Sequence, residues 1–432
     1  MRSTIFLVAL FAMPAFAQVD AGLVETADPG DGYTPDESNS SEVLRFTGYL
    51  DVGFAKATGD GTSFAPNDTR VPLDYGTDPF ATMVNSRGEV ASTDSGGRFT
   101  NGFLPRSVGI GNRPSLLLNT LSADVRFQPR SVPLFVFARV QFLPRLTGSG
   151  DTTRVDLQQA FARLTPFSSQ EFAVSLGRFD SVFGIEYNEN EANLRVNITP
   201  SLIARYTTGQ GLGLKAFFRR QLPGIWSALS LNVAGTLNGT RIEALVPIDV
   251  SLVGLPVGSG RVGYELNLTK VQVKLGASGV YGPRNDQHDP GATQAAWGVD
   301  ARLNFYGIAI AGELIHLWDQ PSRQEGKVTG LTTGEIASGF EVLGGWVRLA
   351  YTFPWKTEVL TGVTLGARFD RRKAQFEGYS WVNTDRLTVF GRIDLWDQLA
   401  LKAEWLVNGE LPQTNTVYVN NNVFTASAVV TW

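Results

Sequence analysis

The sequence holds no cysteine and only 2 histidines in 432 residues. The first absence excludes disulfide frameworks, thiolate zinc sites, iron–sulfur clusters and cysteine nucleophiles. The second leaves little room for histidine metal sites or proton shuttles. Charge is scarce as well. Asp, Glu, Lys and Arg make up 18% of the chain, against about a quarter in a typical soluble domain. A formal charge of −4 leaves no basic footprint for nucleic acid. Beyond the N-terminus no stretch reaches the ~18 apolar residues that a membrane helix needs. What is plentiful is glycine, at 46 residues, and aromatics, at 11%. That mix suits a β-rich chain with many turns.

The first residues read as an address. Arg2 supplies a positive start, Ile5 to Phe16 form a short apolar core, and Ala15-Phe16-Ala17 fits the small-x-small cleavage rule. Residues 1–17 are therefore expected to be a cleaved signal peptide, and losing Arg2 takes the net charge from −4 to −5. Residues 18–42 carry Asp20, Glu25, Asp28, Asp31, Asp36, Glu37 and Glu42 with no Lys or Arg, so they read as an acidic flexible periplasmic leader.

From residue 43 to 432 the chain alternates with period two in segments of about ten residues, the length of a tilted strand crossing a bilayer. In the last segment Phe424, Ala426, Ala428, Val430 and Trp432 share one face, and Thr425, Ser427, Val429 and Thr431 the other. Leu399, Leu401, Ala403, Trp405 and Val407 likewise oppose Lys402 and Glu404. The pattern predicts sixteen strands, at 43–56, 113–127, 133–143, 154–164, 171–179, 210–221, 225–237, 259–269, 271–282, 296–305, 308–318, 343–353, 359–370, 384–395, 399–408 and 421–432. Connections after even strands are short, such as Tyr306-Gly307. Those after odd strands are long and rich in Gly and Asp, such as 57–112 and 180–209. Short turns on one rim and long loops on the other are the layout of an all-β, 16-stranded antiparallel transmembrane barrel, with periplasmic turns and extracellular loops. Backbone groups cannot stay unpaired in hydrocarbon, so strand 43–56 must close on the last strand. Phe127, Phe305, Phe353, Trp355, Trp396 and Trp432 fall at the short-turn rim. Phe142, Tyr281, Trp297, Trp318, Phe369 and Trp405 fall near the long-loop rim, as interfacial girdles would.

At this point the chain resembles Gram-negative outer-membrane porins, and its closing Val-Val-Thr-Trp resembles their assembly signal. A narrower resemblance, over Val155–Phe161 and Leu176–Glu186, is to the OmpL-like β-barrel porin-2 family and, less closely, to phosphate-selective porins of the O and P type. These resemblances imply several partners. They are outer-membrane lipids and lipopolysaccharide, the barrel-assembly machinery acting on the strand that ends at Trp432, and small hydrophilic solutes. They also admit a homotrimer. No cofactor and no metal site are implied.

The inward face then carries charge on purpose, because charge on the lipid face costs ~2–4 kcal/mol per residue near the midplane. Expected wall residues include Arg45, Asp51, Arg126, Asp300, Arg302, Arg392, Lys402 and Glu404. Thirteen basic wall candidates against nine acidic ones give about +4, with the excess acid in loops and leader. Arg163 and Arg178 break parity and are expected to snorkel from strand ends. In general sixteen-stranded porins the loop after strand 5 folds inward. The resemblance therefore makes 180–209 a constriction, in which Glu186, Glu189, Glu191 and Arg195 face Arg139, Lys215 and Arg348 across a transverse field.

The function expected is a water-filled channel for passive diffusion. A surface structural or adhesive barrel with a blocked lumen is the alternative. A hydrolase built on His288, beside Asp286 and Asp289, or on His316 is a third class with a weaker motif.

Overall fold

A computed structural model describes residues 43–57, 115–129, 131–143, 154–167, 171–180, 182–189, 191–207, 210–222, 226–237, 255–283, 293–320, 340–376, 382–396, 398–411 and 422–432. The signal peptide, the leader, most of 57–112 and His288 lie outside them.

Alternation becomes strand at every segment where it was expected. The strands are β1 (Leu44–Ala57), β2 (Ser115–Phe127), β3 (Leu134–Leu143), β4 (Arg154–Leu164), β5 (Phe172–Asp180), β6 (Gln210–Leu222), β7 (Ser227–Thr236) and β8 (Val257–Leu268). They continue as β9 (Val271–Pro283), β10 (Thr293–Phe305), β11 (Ile308–Gln320), β12 (Phe340–Phe353), β13 (Leu360–Phe376), β14 (Val382–Leu395), β15 (Leu399–Leu411) and β16 (Val423–Thr431). Each pairs antiparallel with its sequence neighbours, and β1 pairs with β16, so all sixteen form one closed barrel. Closure is sealed inside by Asp51, which accepts hydrogen bonds from Asn119 Nδ2 (3.0 Å) and Ser427 Oγ (2.5 Å). At the short-turn end it is sealed by reciprocal backbone bonds between Gly48 and Trp432.

The two faces separate as the period demands. Val52, Val299, Leu314, Val347, Leu365, Val389 and Leu401 are exposed on the outer surface, while Asp51, Asp300, Glu313, Arg348, Thr364, Thr388 and Lys402 are buried within. The aromatics form the two outer belts: Phe127, Phe305, Trp355, Trp396 and Trp432 stand exposed at one end, and Tyr281, Trp297, Phe369 and Trp405 at the other. The shortest turn, Tyr306-Gly307, places both residues at positive φ (46° and 82°), the two-residue geometry that follows strand twist.

Three register shifts interrupt the ladders among the described residues. One is at Thr361 at the start of β13, where Leu360 and Gly362 pair with Leu395 and Asp394; the other two bear on the lumen. Asn119 is the extra residue of β2, where Asp51 and Val52 pair with Thr120 and Leu118. Gln158 is the extra residue of β4, where Arg139 and Val140 pair with Gln159 and Leu157. The bulge in β4 corrects one expectation. Arg163 does not snorkel outward; past Gln158 the alternation resets, and Arg163 is buried on the inner face with Phe161. Arg178 keeps the outward parity of Val174 and Leu176.

Candidate functional site: the lumen and its inward segment

The connection after β5 does not stay on the rim. Residues 182–207 run into the lumen, with a 3-10 turn over Glu186–Glu189 and a single helical turn over Ala204–Thr207. The entry point is Gly184, at φ +79°, a left-handed conformation in which a Cβ would strike Glu313 Oε1. A glycine is required there, both for the turn and for the close approach to the wall.

From that point the segment is held by wall side chains on successive strands. Ser278 Oγ accepts from Gly184 N (3.0 Å) and Glu313 Oε1 from Ile185 N (3.3 Å). Arg348 forks onto Glu189 with both terminal nitrogens, at 2.5 and 2.7 Å, and Arg302 adds a 3.4 Å ion pair. Lys402 donates to the carbonyls of Ala192 and Arg195, the latter also accepting from Arg392 (3.0 Å). Glu404 collects the backbone N–H groups of Ile198 (3.0 Å) and Thr199 (2.9 Å) and the Thr199 hydroxyl. Arg368 and Arg386 converge on the Pro200 carbonyl, and both also bond Asp370 Oδ2. On the far side Glu191 accepts from Tyr49 Oη (2.5 Å) and Gln141 Nε2, and pairs with Arg139 at 3.2 Å. The segment thus bridges the wall from β1 and β3 to β9–β15.

Apolar contacts reinforce these bonds. Phe183, Ile185, Ile203 and Tyr206 sink into a cluster with Val257, Ile315, Leu317, Val342 and Trp346. Val182 joins Phe135, Phe137, Phe161 and Phe179, and Ala192 meets Tyr49, Ala400 and Val429. The lumen wall therefore also carries aromatic and aliphatic patches, at three places where the segment touches it. The alternation alone predicts a uniformly polar interior, and it misses these because inward Phe137 and Trp346 look like strand aromatics of either face.

The expected site residues meet, but not as expected. Glu189 with Arg348, and Glu191 with Arg139, are contact ion pairs rather than charges held apart across an opening. Glu186 does not face a basic wall residue in hydrogen-bond contact. It turns back to accept from Ser201 N (2.6 Å) and the Ser201 hydroxyl, clamping the segment to itself. Arg195 donates to the carbonyls of Glu189 (2.9 Å) and Ile198 (2.7 Å), stiffening the same segment. Lys215 is buried with Nζ 5.6 Å from the Phe179 ring centre. Of the other wall residues, Asp300 pairs with Arg261 (2.6 Å), while Arg45 and Arg126 face each other across β1 and β2. Glu313 and Asp370 are among the nine acidic wall residues expected, and Tyr49 lies on the expected inward face of its strand. Gln141 and Ser201 are the contributors that sequence reasoning did not single out. The signal for Gln141 is a polar group at an inward position of its strand.

Within the segment, burial pushes the Glu186 carboxyl up, and Arg368 and Ser201 offset this only in part. Burial acts on Glu189 too, but Arg348 and Arg302 outweigh it and lower its pKa to about 2. Burial lowers Arg195, against the pull of Glu186 and Glu189.

His316, the described histidine, lies on the outer face. Its Nε2 is 2.8 Å from Glu341 Oε1, and its ring rests against Trp297 and Trp318 in the long-loop belt.

No family model and no curated protein matches this chain. Solved structures do. OmpT, an outer membrane protein of Vibrio cholerae, superposes with a TM-score of 0.51 at 9% identity, covering 91% of this chain and 99% of its own. The outer membrane channel DcaP of Acinetobacter baumannii gives 0.50 at 10%, covering 90% and 97%. Salmonella typhi OmpF in complex with daunomycin gives 0.50 at 11%, again covering 90% and 97%. At such identities the likeness is one of fold, and the fold is that of outer-membrane porins and channels.

Proposed function

We propose that this chain is an outer-membrane porin: a water-filled channel for passive diffusion of small hydrophilic solutes, narrowed by segment 182–207. One observation carries the reading. Charged wall residues on the short-turn side of the segment keep solvent exposure inside a closed barrel, with side-chain values of 42% for Arg219, 30% for Lys274 and 27% for Arg302. A closed sheet of sixteen strands is too wide for its own side chains to fill. The outward apolar face with two aromatic belts supports insertion in a bilayer. The porin-like fold of the solved neighbours supports the outer membrane as the place.

The constriction is a cross-braced insert rather than a free loop. Solute size is then limited by the gap the insert leaves, and its acids act mainly as structural partners of Arg139 and Arg348. Liposomes containing the refolded chain are expected to swell in isotonic arabinose or glucose. Absence of swelling by correctly folded barrels would instead favour a blocked surface barrel.

A further inference from the structure

The insert sorts its own side chains, and it does so against what a watery lumen would select. Residues 193–199 read Asn-Leu-Arg-Val-Asn-Ile-Thr. The polar Arg195 and Asn197 are buried, at 2% and 1% exposure, whereas the apolar Leu194, Val196 and Ile198 keep part of their surface open. The wall around them is a closed sheet, so what the insert leaves open is open to the lumen and not to lipid.

Hydrogen bonds fix this inverted arrangement. Arg195 turns back onto the carbonyls of Glu189 and Ile198, and Asn197 Nδ2 onto that of Thr199. Lys402 holds the Arg195 carbonyl, and Glu404 holds the N–H groups of Ile198 and Thr199. The polar side chains are spent on the protein and the backbone is pinned from β15, which leaves the apolar side chains facing solvent. Single apolar residues on a surface are ordinary, but three within five positions beside a buried arginine form a patch. A segment that only braced the wall would bury the three and give its polar groups to water.

A charged pair stands next to this patch. Arg392 donates to the Arg195 carbonyl at 3.0 Å, on the peptide that leads into Val196, and its Nε bonds Asp394 Oδ1 at 2.7 Å. Both side chains stay open to the lumen, at 20% and 27%. We infer that Leu194, Val196 and Ile198 form an apolar ledge which, with Arg392 and Asp394, makes a weak site for small amphipathic zwitterions, of which apolar amino acids are the simplest. The solute's side chain lies on the ledge, its carboxylate meets the guanidinium and its ammonium meets Asp394. A site that is favourable to enter and weak enough to leave speeds passage of the solute that fits it. This names a solute class for the channel proposed above, and it rests on that reading for its transport consequence.

Liposomes carrying the refolded full chain test it by isotonic swelling in valine and in threonine. These two match in size and head group and differ by a methyl against a hydroxyl; arabinose reports the width of the passage. Valine is expected to enter at least about twofold faster than threonine. The Leu194→Asn, Val196→Thr, Ile198→Thr triple variant should bring the two rates together. Ile198→Thr alone should lower the ratio in the same direction if the triple variant does not fold. Asp394→Asn should slow both amino acids relative to arabinose, and rates unmoved there overturn the zwitterion assignment. Equal rates in the parent, or a ratio unmoved by the ledge substitutions, overturns the ledge while leaving the channel standing. If arabinose does not enter, the channel reading fails and binding decides. A saturation-transfer signal from valine methyls on the detergent-folded chain, weakened by Ile198→Thr, supports the ledge; no signal from the parent refutes it.

Discussion

At the scale of single residues, Glu186 and Glu189 show why neighbouring acids need not act alike. They sit three apart in one 3-10 turn, yet burial raises the first and Arg348 lowers the second to about 2. For Glu189 the folded value lies below the ordinary 4.5. Its pairing therefore stabilises the insert fully above that range, and the contribution is lost only as pH falls through about 2. For Glu186 the folded value lies above 4.5. Its ionisation costs stability, which is complete below 4.5 and declines as pH rises through the folded value. Lowering pH from 7 to 4 is thus expected to leave the insert in place, or hold it more firmly, so open-channel conductance per ion should not jump over that range. A stepwise rise between pH 6 and 4 in single-channel records would contradict this. Glu189→Gln removes the partner of a buried guanidinium, a change that costs about 3–5 kcal/mol in such settings. The expected result is a noisier open state at pH 7. None of these roles is legible from the sequence. Glu186, Glu189 and Glu191 look alike in a polar loop, and only the placement of Ser201, Arg348 and Tyr49 around them assigns one to an internal clamp and two to the wall.

At the scale of elements, the strands are highly legible because a half-buried sheet imposes its period on every residue. Leu401 and Lys402, or Val347 and Arg348, announce their faces by themselves. What the period cannot show is an extra residue. Gln158 shifts the phase of β4, and so Arg163 looks misplaced until the pairing is seen. The bulge makes a testable asymmetry. Deleting Gln158 joins Leu157 to Gln159 as a regular outward–inward pair and leaves the parity of Phe161 and Arg163 intact, so the barrel should still fold. Deleting Val299 from β10, which has no bulge, throws one half of that strand out of phase. Either Asp300 and Arg302 turn outward, Arg302 at ~2–4 kcal/mol near the midplane and Asp300 at less, or the other half turns, moving Gln294 to the lipid face and Trp297 into the lumen. Heat-modifiable mobility on gels should survive the first deletion and be lost in the second. A Gly307→Val change belongs to the same scale. It forces a β-branched residue to φ +82° against the Thr352 carbonyl, and should slow refolding of the β10–β11 hairpin, read by the rise of the folded band.

For the molecule as a whole, the barrel and its insert are two layers of different origin. All sixteen strand pairings close without using residues 182–207, so the wall is specified by alternation and the absence of an edge. The insert is specified by distant partners instead. Glu404 and Lys402 reach it from more than two hundred residues away in sequence, and no local pattern in 180–209 encodes that distance. Such a division implies that the insert can be removed without unmaking the wall. Replacing residues 185–203 by a short Gly-Ser linker is expected to leave a folded, heat-modifiable barrel, since the strand ladders and outer belts are untouched. It also strips partners from Arg348, Arg368, Arg386, Lys402 and Glu404 at once. These groups would then meet water in the widened lumen rather than hydrocarbon, so the penalty is hydration and repulsion among cations, not burial in lipid. The shortened chain should therefore conduct more per channel and admit larger sugars in liposome swelling than the parent. It should also lose stability most at low ionic strength, where Arg348 and Arg368, directly opposed across β12 and β13, repel least screened. A shortened barrel with unchanged conductance and sugar cut-off would place the narrowest passage elsewhere than at this insert.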